Sequence, residues 1–390
     1  MNRCSKDSAR HMFLCVSLVL LYGIGLNGAV FGQEQARPAA TEETLKLNAT
    51  LVQIPAIVTD RAGAIITDLA QKDFAVFEDG KRQEISLFAA LKQPFHAVLV
   101  LDTSNTAQDR LRAIQNCAIA FAREIEPADG LMVISFDNEI HRLTDFTSDR
   151  AEIEAAVNGA ESGFGKLLYE SVDRALNELK DIEGTRAVIL FSDGVDLGSV
   201  GTSGENTIRR AEEIGAVIYV VRFDTRWWIE SAVRKQKAEH PQSKLPFEVD
   251  GRIPLPPDYG GPDPSGVPGT HRPRIEINSR SVPPVVIVNG KRQEPEAGPD
   301  DEVTESLDKL YGEANKYVQT LCSLTGGVVF GADNFAETQS AFRAIAEELR
   351  KQYLIGYYLA NDTRNSRYRK VRVEVSRKGV QVRARPGYRR

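Results

Sequence analysis

The stretch His96-Ala-Val-Leu-Val-Leu-Asp102-Thr-Ser104-Asn-Thr106 decides how the chain is organised. Its apolar run from Ala97 to Leu101 predicts a strand that is buried on both faces, as strands of parallel sheets are. Asp102, Ser104 and Thr106 follow at alternate positions. Doubly wound folds bind ligands beyond the carboxyl ends of such strands. Short oxygen ligands there suit Mg²⁺ or Ca²⁺, although Asp-x-Ser-x-Thr also occurs in ordinary turns and helix caps.

A second apolar run, Ala187-Val-Ile-Leu-Phe-Ser-Asp193-Gly194, also predicts a buried strand that ends in a carboxylate. Together the two stretches resemble the von Willebrand factor A domain, with its metal-ion-dependent adhesion site. That family has Asp-x-Ser-x-Ser after the first strand, a Thr in a middle loop, and Asp-Gly after the fourth strand. The resemblance therefore implies that Asp102, Ser104, Thr106 and Asp193 are candidate metal ligands.

The middle loop of this chain departs from the family pattern. Gly165-Lys166-Leu-Leu-Tyr169-Glu170 stands where the family has Gly-Thr-x-Leu-Tyr-Asp, so Lys166 takes the place of the metal-facing threonine. Either Lys166 extends to solvent and leaves the other residues to hold Mg²⁺, Mn²⁺ or Ca²⁺, or it points inward in place of the cation. We expect the inward lysine, because its ammonium supplies three donors to the two carboxylates. Metal binding is then weak or absent.

Strands and helices alternate through the central part of the chain, which predicts an α/β fold with a doubly wound, mostly parallel sheet. Residues 45–92 and 352–390 instead alternate with period two, and neither set is large enough for a core of its own. We therefore expect them to join in one small flanking β-sandwich. The motifs Asp73-Phe-Ala-Val-Phe-Glu-Asp79-Gly80, Tyr353-Leu-Ile-Gly-Tyr357 and Arg385-Pro-Gly-Tyr388 resemble those of exported bacterial relatives of the A domain.

A proline-rich stretch interrupts the central domain. Residues 226–304 hold 13 of the 18 prolines of the chain. Prolines at this density cannot supply the backbone donors of helices or sheets, so we expect a disordered surface insertion. It divides the predicted A domain into residues 95–225 and 305–351.

The first residues have the character of an export signal. Arg3, Lys6 and Arg10 precede a charge-free stretch from Met12 to Phe31. We expect a cleaved signal at 1–32 and a mobile linker at 33–44, which places the protein in the periplasm or outside the cell with no membrane span left. The alternative is an uncleaved anchor. Beyond the leader, Cys117 and Cys322 are either two buried thiols or, in an oxidising compartment, one disulfide.

Composition narrows the possible functions. The chain has 390 residues, 42% hydrophobic content and a net charge of −5, which is typical of a globular protein and argues against nucleic acid as a main partner. It lacks a Gly-x-Ser-x-Gly elbow, a phosphate loop and a Cys/His nucleophile arrangement, so we expect no enzyme.

We therefore expect an exported protein-binding or adhesion module that uses the loops at the carboxyl end of the sheet. The resemblance implies that an acidic side chain of a protein partner makes the contact. The alternative is a metal-independent structural or envelope-assembly subunit that binds through the insertion. The sequence does not indicate an oligomeric state.

Overall fold

The computed structural model describes residues 50–90, 94–104, 111–239, 287–288, 291–292, 302–332, 335–359 and 368–389. They belong to one compact unit, Ala49–Arg390. The predicted signal and linker lie outside the described residues. In the described ranges, no helix combines the length and the apolar character needed to cross a membrane.

The secondary structure follows the order expected from the sequence patterns. The strands are β1 (Leu51–Asp60), β2 (Phe74–Glu78), β3 (Lys81–Gln83), β4 (Leu87–Ala90), β5 (Phe95–Asp102), β6 (Gly130–Phe136), β7 (Ile140–Arg142), β8 (Thr185–Phe191), β9 (Val217–Arg222), β10 (Ile287–Val288), β11 (Lys291–Arg292), β12 (Val329–Gly331), β13 (Tyr353–Tyr358), β14 (Arg369–Val375), β15 (Val380–Ala384) and β16 (Gly387–Tyr388). The helices are α1 (Leu111–Ala122), α2 (Arg150–Asn158), α3 (Leu168–Leu179), α4 (Gly204–Ile214), α5 (Arg226–Glu239), α6 (Glu302–Thr325) and α7 (Phe335–Lys351).

The central sheet has the strand order β12-β9-β8-β5-β6-β7. All neighbours are parallel except β7, which pairs antiparallel with β6 at the edge. This arrangement confirms the doubly wound α/β fold. Strand β5 lies between β8 and β6, so Asp102 stands near the middle of the carboxyl edge of the sheet.

Helices cover both faces of this sheet. Helices α1, α2 and α7 contribute apolar side chains to the core on one face, and α3, α4 and α6 do so on the other. Each fully buried Val, Leu or Ile stabilises the fold by about 1.5–3 kcal/mol relative to an exposed one, so these two layers hold the strand ends in place. Cys117 belongs to the first core and Cys322 to the second. Both are free and buried thiols on opposite faces of the sheet, which excludes the alternative of a disulfide between them.

Strands from both ends of the chain form the expected β-sandwich. One sheet has the order β15-β1-β13-β4, the other β16-β14-β2-β3. Side chains of the two sheets share one apolar core, which includes Ile54, Val76, Tyr353 and Ile355. The register places Ile54 opposite Ile355. The N-terminal strands therefore depend on the C-terminal strands for their partners.

A buried ionic cluster brings the end motifs of the sequence together inside the sandwich. Both oxygens of the Glu78 side chain accept hydrogen bonds, Oε2 from Tyr357 at 2.6 Å and Tyr388 at 2.8 Å. Its Oε1 accepts a 2.6 Å bond from Arg369. The resemblance at the chain ends thus has a physical basis, because one residue of each motif contributes to this cluster.

The predicted start of the insertion was wrong. Residues 226–239 form α5, and α6 begins at Glu302. The first proline of the stretch is Pro241, so nothing in 226–239 interrupts a helix. Ile229 and Val233 of α5 pack with Val303 and Leu307 of α6 in a small core of their own. The short hairpin of β10 and β11 is also described, and the rest of the insertion lies outside the described residues.

Candidate functional site

The carboxyl ends of β5, β8 and β9 converge on one buried polar cluster. Asp102 ends β5, Asp193 follows β8, and Thr225 follows β9. A fourth residue, Lys166, enters from the loop before α3. Parallel strands end at the same edge of the sheet, which is why residues so far apart in sequence meet here.

Lys166 lies between the two carboxylates. Its Nζ donates to Oδ2 of Asp193 at 2.7 Å and lies 3.1 Å from Oδ2 of Asp102. The side chain points inward and is 1% exposed. Two carboxylates and one ammonium leave the cluster with a formal charge of −1 when all three are ionised.

Other donors from the same loops take the remaining carboxylate oxygens. Oδ1 of Asp102 accepts bonds from the backbone N–H of Ser104 at 3.2 Å and from its hydroxyl at 2.5 Å. Oδ1 of Asp193 accepts the N–H of Val195 at 2.9 Å, and Ser192 Oγ donates to Oδ2 of Asp102 at 2.9 Å. Every carboxylate oxygen of the cluster therefore has at least one donor.

Two members of the cluster were not identified from the sequence. Thr225 Oγ1 donates to Oδ2 of Asp193, and it lies 2.6 Å from the phenol oxygen of Tyr311 on α6. Thr225 has a weak sequence signal, since it follows an apolar strand, as Asp102 and Asp193 do. Tyr311 has none, because only the packing of α6 brings it to the sheet edge.

The turn at Gly194 requires glycine. Its φ is +87°, and a Cβ there would lie 2.9 Å from Cγ1 of Val318 and 3.2 Å from the carbonyl oxygen of Ala314. A side chain would thus meet both an unfavourable backbone conformation and helix α6. The Asp-Gly sequence after β8 lets Asp193 turn back toward Lys166 while α6 packs closely behind it.

The charges of the cluster depend on one another. Burial alone would lower the pKa of Lys166, but Asp102 and Asp193 outweigh it and raise the pKa of the ammonium. Burial raises the pKa of Asp102, and Asp193 adds to this effect, while Lys166 and Ser104 favour the ionised carboxylate. Lys166 is therefore the charged group on which ionisation of the pair depends.

This donor set does not fit a divalent cation while Lys166 stays where it is. Mg²⁺ needs oxygens on all sides at about 2.0–2.1 Å, and here an ammonium occupies the space between the two facing oxygens. Among the described residues, no group of three or more His, Cys, Asp or Glu side chains could hold a metal ion. Of the predicted ligands, the structure brings Asp102, Ser104 and Asp193 together, and Thr106 lies outside the described residues.

The segments that follow the cluster residues Asp193 and Thr225 expose large apolar side chains. Val200, in the loop after Asp193, is 95% exposed, and Trp227, two residues beyond Thr225, is 52% exposed. The loop of Val200 is held in place, because Oε1 of Glu170 accepts the N–H of Val200 at 2.9 Å and that of Gly201 at 2.8 Å. The carboxyl edge thus presents apolar groups from ordered segments.

Polar groups gathered at the carboxyl edge of a doubly wound sheet stand where α/β folds of this kind place their ligand sites. Residues 97–195 match the family described as von Willebrand factor type A domain, and the chain therefore carries such a domain. A comparison with the curated proteins found no match.

Solved structures give further likenesses. BatB from Bacteroides thetaiotaomicron is 19% identical over 65% of this chain and 97% of its own, with a TM-score of 0.35. A von Willebrand factor type A protein from Catenulispora acidiphila is 9% identical over 81% of this chain and 73% of its own, with a TM-score of 0.38. Three N-terminal domains of the type V pili tip protein Mfa5 from Porphyromonas gingivalis are 17% identical, with a TM-score of 0.26. That match covers 40% of this chain and only 31% of the Mfa5 chain.

Proposed function

We propose that the protein is an exported, non-enzymatic protein-binding module whose partner docks on the loops at the carboxyl edge of the A-domain sheet. The observation that carries this proposal is the exposure of Val200, in the loop after Asp193, and of Trp227, in the first turn of α5 after Thr225. Aromatic side chains are enriched at protein interfaces, and Trp is among the residues that carry most of the binding energy there. The match to the von Willebrand factor type A family supports an interaction role.

Binding in this proposal does not depend on a metal. Lys166 already bridges Asp102 and Asp193, so the loops are held in place by an internal cation. The geometry does not support the expected contact with an acidic side chain, because Lys166, the one cation that the described residues bring to the cluster, is buried and already bonded to two carboxylates. We therefore propose an apolar contact through Trp227 and Val200 in place of a carboxylate contact.

Affinity capture from the envelope fraction of the source cells tests this function. The baits are the wild type, the double variant Val200→Ser/Trp227→Ser, and the control Tyr358→Ser. Tyr358 is 54% exposed but lies on strand β13 of the sandwich, so it matches Trp227 in exposure and not in position. We expect one set of proteins captured by wild type and control, unchanged by a chelator and lost with the double variant. Loss of that set with the chelator, or its retention by the double variant, contradicts the proposal.

A further inference from the structure

A cleft lies where the β-sandwich meets the A domain, at the edge of the central sheet opposite to the Lys166 cluster. It has a volume of about 480 Å³. Its floor is buried and includes Val52, Leu359, Arg385 and Tyr388. Its rim is solvent-exposed and formed by charged residues. These rim residues are Lys180, Asp181, Glu183 and Glu213.

Two arginines line this cleft without a carboxylate. Arg385 is 8% exposed, and its Nη2 donates to the carbonyl oxygen of Gln53 at 2.8 Å. Arg186 makes one marginal contact, from Nη1 to the carbonyl oxygen of Lys180 at 3.5 Å. The Nε atoms of both guanidiniums are buried and have no hydrogen-bond partner within the part of the chain that the structure describes. Neither arginine forms a salt bridge with any described residue, and the ion pairs of Lys180, Arg383 and Arg389 involve other side chains.

Three nearby arginines, in contrast, each pair with a carboxylate. Arg369 pairs with Glu78 at 2.6 Å, Arg383 with Glu348 at 2.5 Å, and Arg389 with Glu212 at 2.6 Å. Arg186 is also close enough to disfavour the charge of Arg385. Burial lowers the pKa of Arg385 to about 10, and the positive charge of Arg186 contributes to that shift. Burial lowers the pKa of Arg186 as well.

Contacts within the protein satisfy only some of the hydrogen-bond donors of Arg385. Its guanidinium lies over the ring of Tyr388 at 5.1 Å, and it approaches Gly215 at the carboxyl end of α4, where helix carbonyls favour a cation. These contacts leave both Nε donors unused. A buried charge without a partner is unfavourable, and a guanidinium binds carboxylate or phosphate oxygens through two parallel donors.

We propose that this cleft binds a compact oxyanion, a carboxylate or a phosphate group, held between Arg186 and Arg385. The anion would accept hydrogen bonds from both guanidiniums and separate two like charges. The acidic rim residues Asp181, Glu183 and Glu213 disfavour extended polyanions, which is why the ligand must be compact. This site is independent of the partner-binding loops, since it lies at the other edge of the sheet.

Isothermal titration calorimetry with inorganic phosphate and with acetate, at constant ionic strength set by chloride, tests the proposal on the full chain. The variants are Arg186→Gln, which removes the guanidinium, and Arg186→Lys, which keeps the charge but loses the paired donors. The control is Arg377→Gln, a sandwich arginine that pairs with Asp68 at 2.7 Å on the surface.

We expect saturable binding of at least one of the two anions by the wild type and the control. Arg186→Gln should weaken it at least tenfold, and Arg186→Lys should weaken it less. Circular dichroism establishes that each variant is folded, and Arg186→Lys remains informative if Arg186→Gln is not. Absence of binding above the chloride background in wild type overturns the proposal. Equal affinity of wild type and the folded Arg186 variants does so as well.

Discussion

Replacement of Lys166 by methionine tests the central charge cluster most directly. Methionine keeps much of the length of the side chain but removes the ammonium that lies 2.7 Å from Asp193 and 3.1 Å from Asp102. Two buried carboxylates then face each other without a cation. At an effective dielectric of about 20, each charge pair at 4 Å is worth about 4 kcal/mol before desolvation is counted.

Removing one partner of a buried ion pair typically costs about 3–5 kcal/mol, and we expect Lys166→Met to lower the free energy of unfolding by that amount at neutral pH. Protonation of Asp102, whose pKa burial already raises, limits the loss to the lower part of that range. The measurement is urea unfolding followed by circular dichroism. The control is Lys351→Met, because Lys351 is 42% exposed and pairs with Glu347 at the surface. Its effect should stay within about 0.5 kcal/mol.

Adding Mg²⁺ to a second variant shows whether the loss of stability comes from the missing charge or from altered packing. In Lys166→Thr, which restores the side chain of the family pattern, Mg²⁺ has room between the two carboxylates. At a concentration 100 times its dissociation constant, it should return about 2.7 kcal/mol of stability. Wild type should gain nothing. The reasoning is refuted if Lys166→Met is as stable as wild type, or if Mg²⁺ stabilises wild type as much as the threonine variant.

Three further predictions follow from the described contacts. Glu78→Gln should lower the free energy of unfolding by about 3–5 kcal/mol because Arg369 loses its buried carboxylate, whereas the exposed Glu84→Gln should have little effect in the same urea titration. Deletion of residues 352–390 should abolish hydrogen-exchange protection across 51–78, and protection that persists there would mean that the N-terminal strands are stable alone. The folded-state pKa of Lys166 is raised. Its contribution to the free energy of unfolding is therefore complete below the ordinary lysine value of 10.5 and is lost as the pH rises through the folded-state pKa. The stability difference between wild type and Lys166→Met should therefore shrink above about pH 10.5 in alkaline unfolding curves, and a constant difference would exclude this linkage.

The parts of the fold that sequence patterns predicted are those where one physical effect dominates. The apolar runs before Asp102 and Asp193 can only be buried strands, and their polar ends follow from the geometry of a parallel sheet. Alternation with period two identified the sandwich strands at both ends of the chain. Proline content does not predict helix α5, because the prolines begin only at Pro241, beyond the end of the helix.

Of the candidate site, the sequence predicted only the residues that lie in recognised motifs. Thr225 and Tyr311 reach Asp193 from segments with no motif, and their contact depends on how α6 packs. Arg186 and Arg385 are similarly separated in sequence and meet only through the junction of sandwich and A domain. Such pairs are set by tertiary packing, which no local pattern encodes.

The pairing of β1 with β13 and β15 also determines when the chain can complete its fold. Ile54 pairs with Ile355 and Val58 with Val382, so β1 leaves the ribosome long before the strands with which it pairs. Until then its apolar face and its free edges resemble the exposed strand edges that drive aggregation. We therefore expect a nascent or truncated chain to be prone to aggregation at its N-terminal strands, even if its central sheet has already formed.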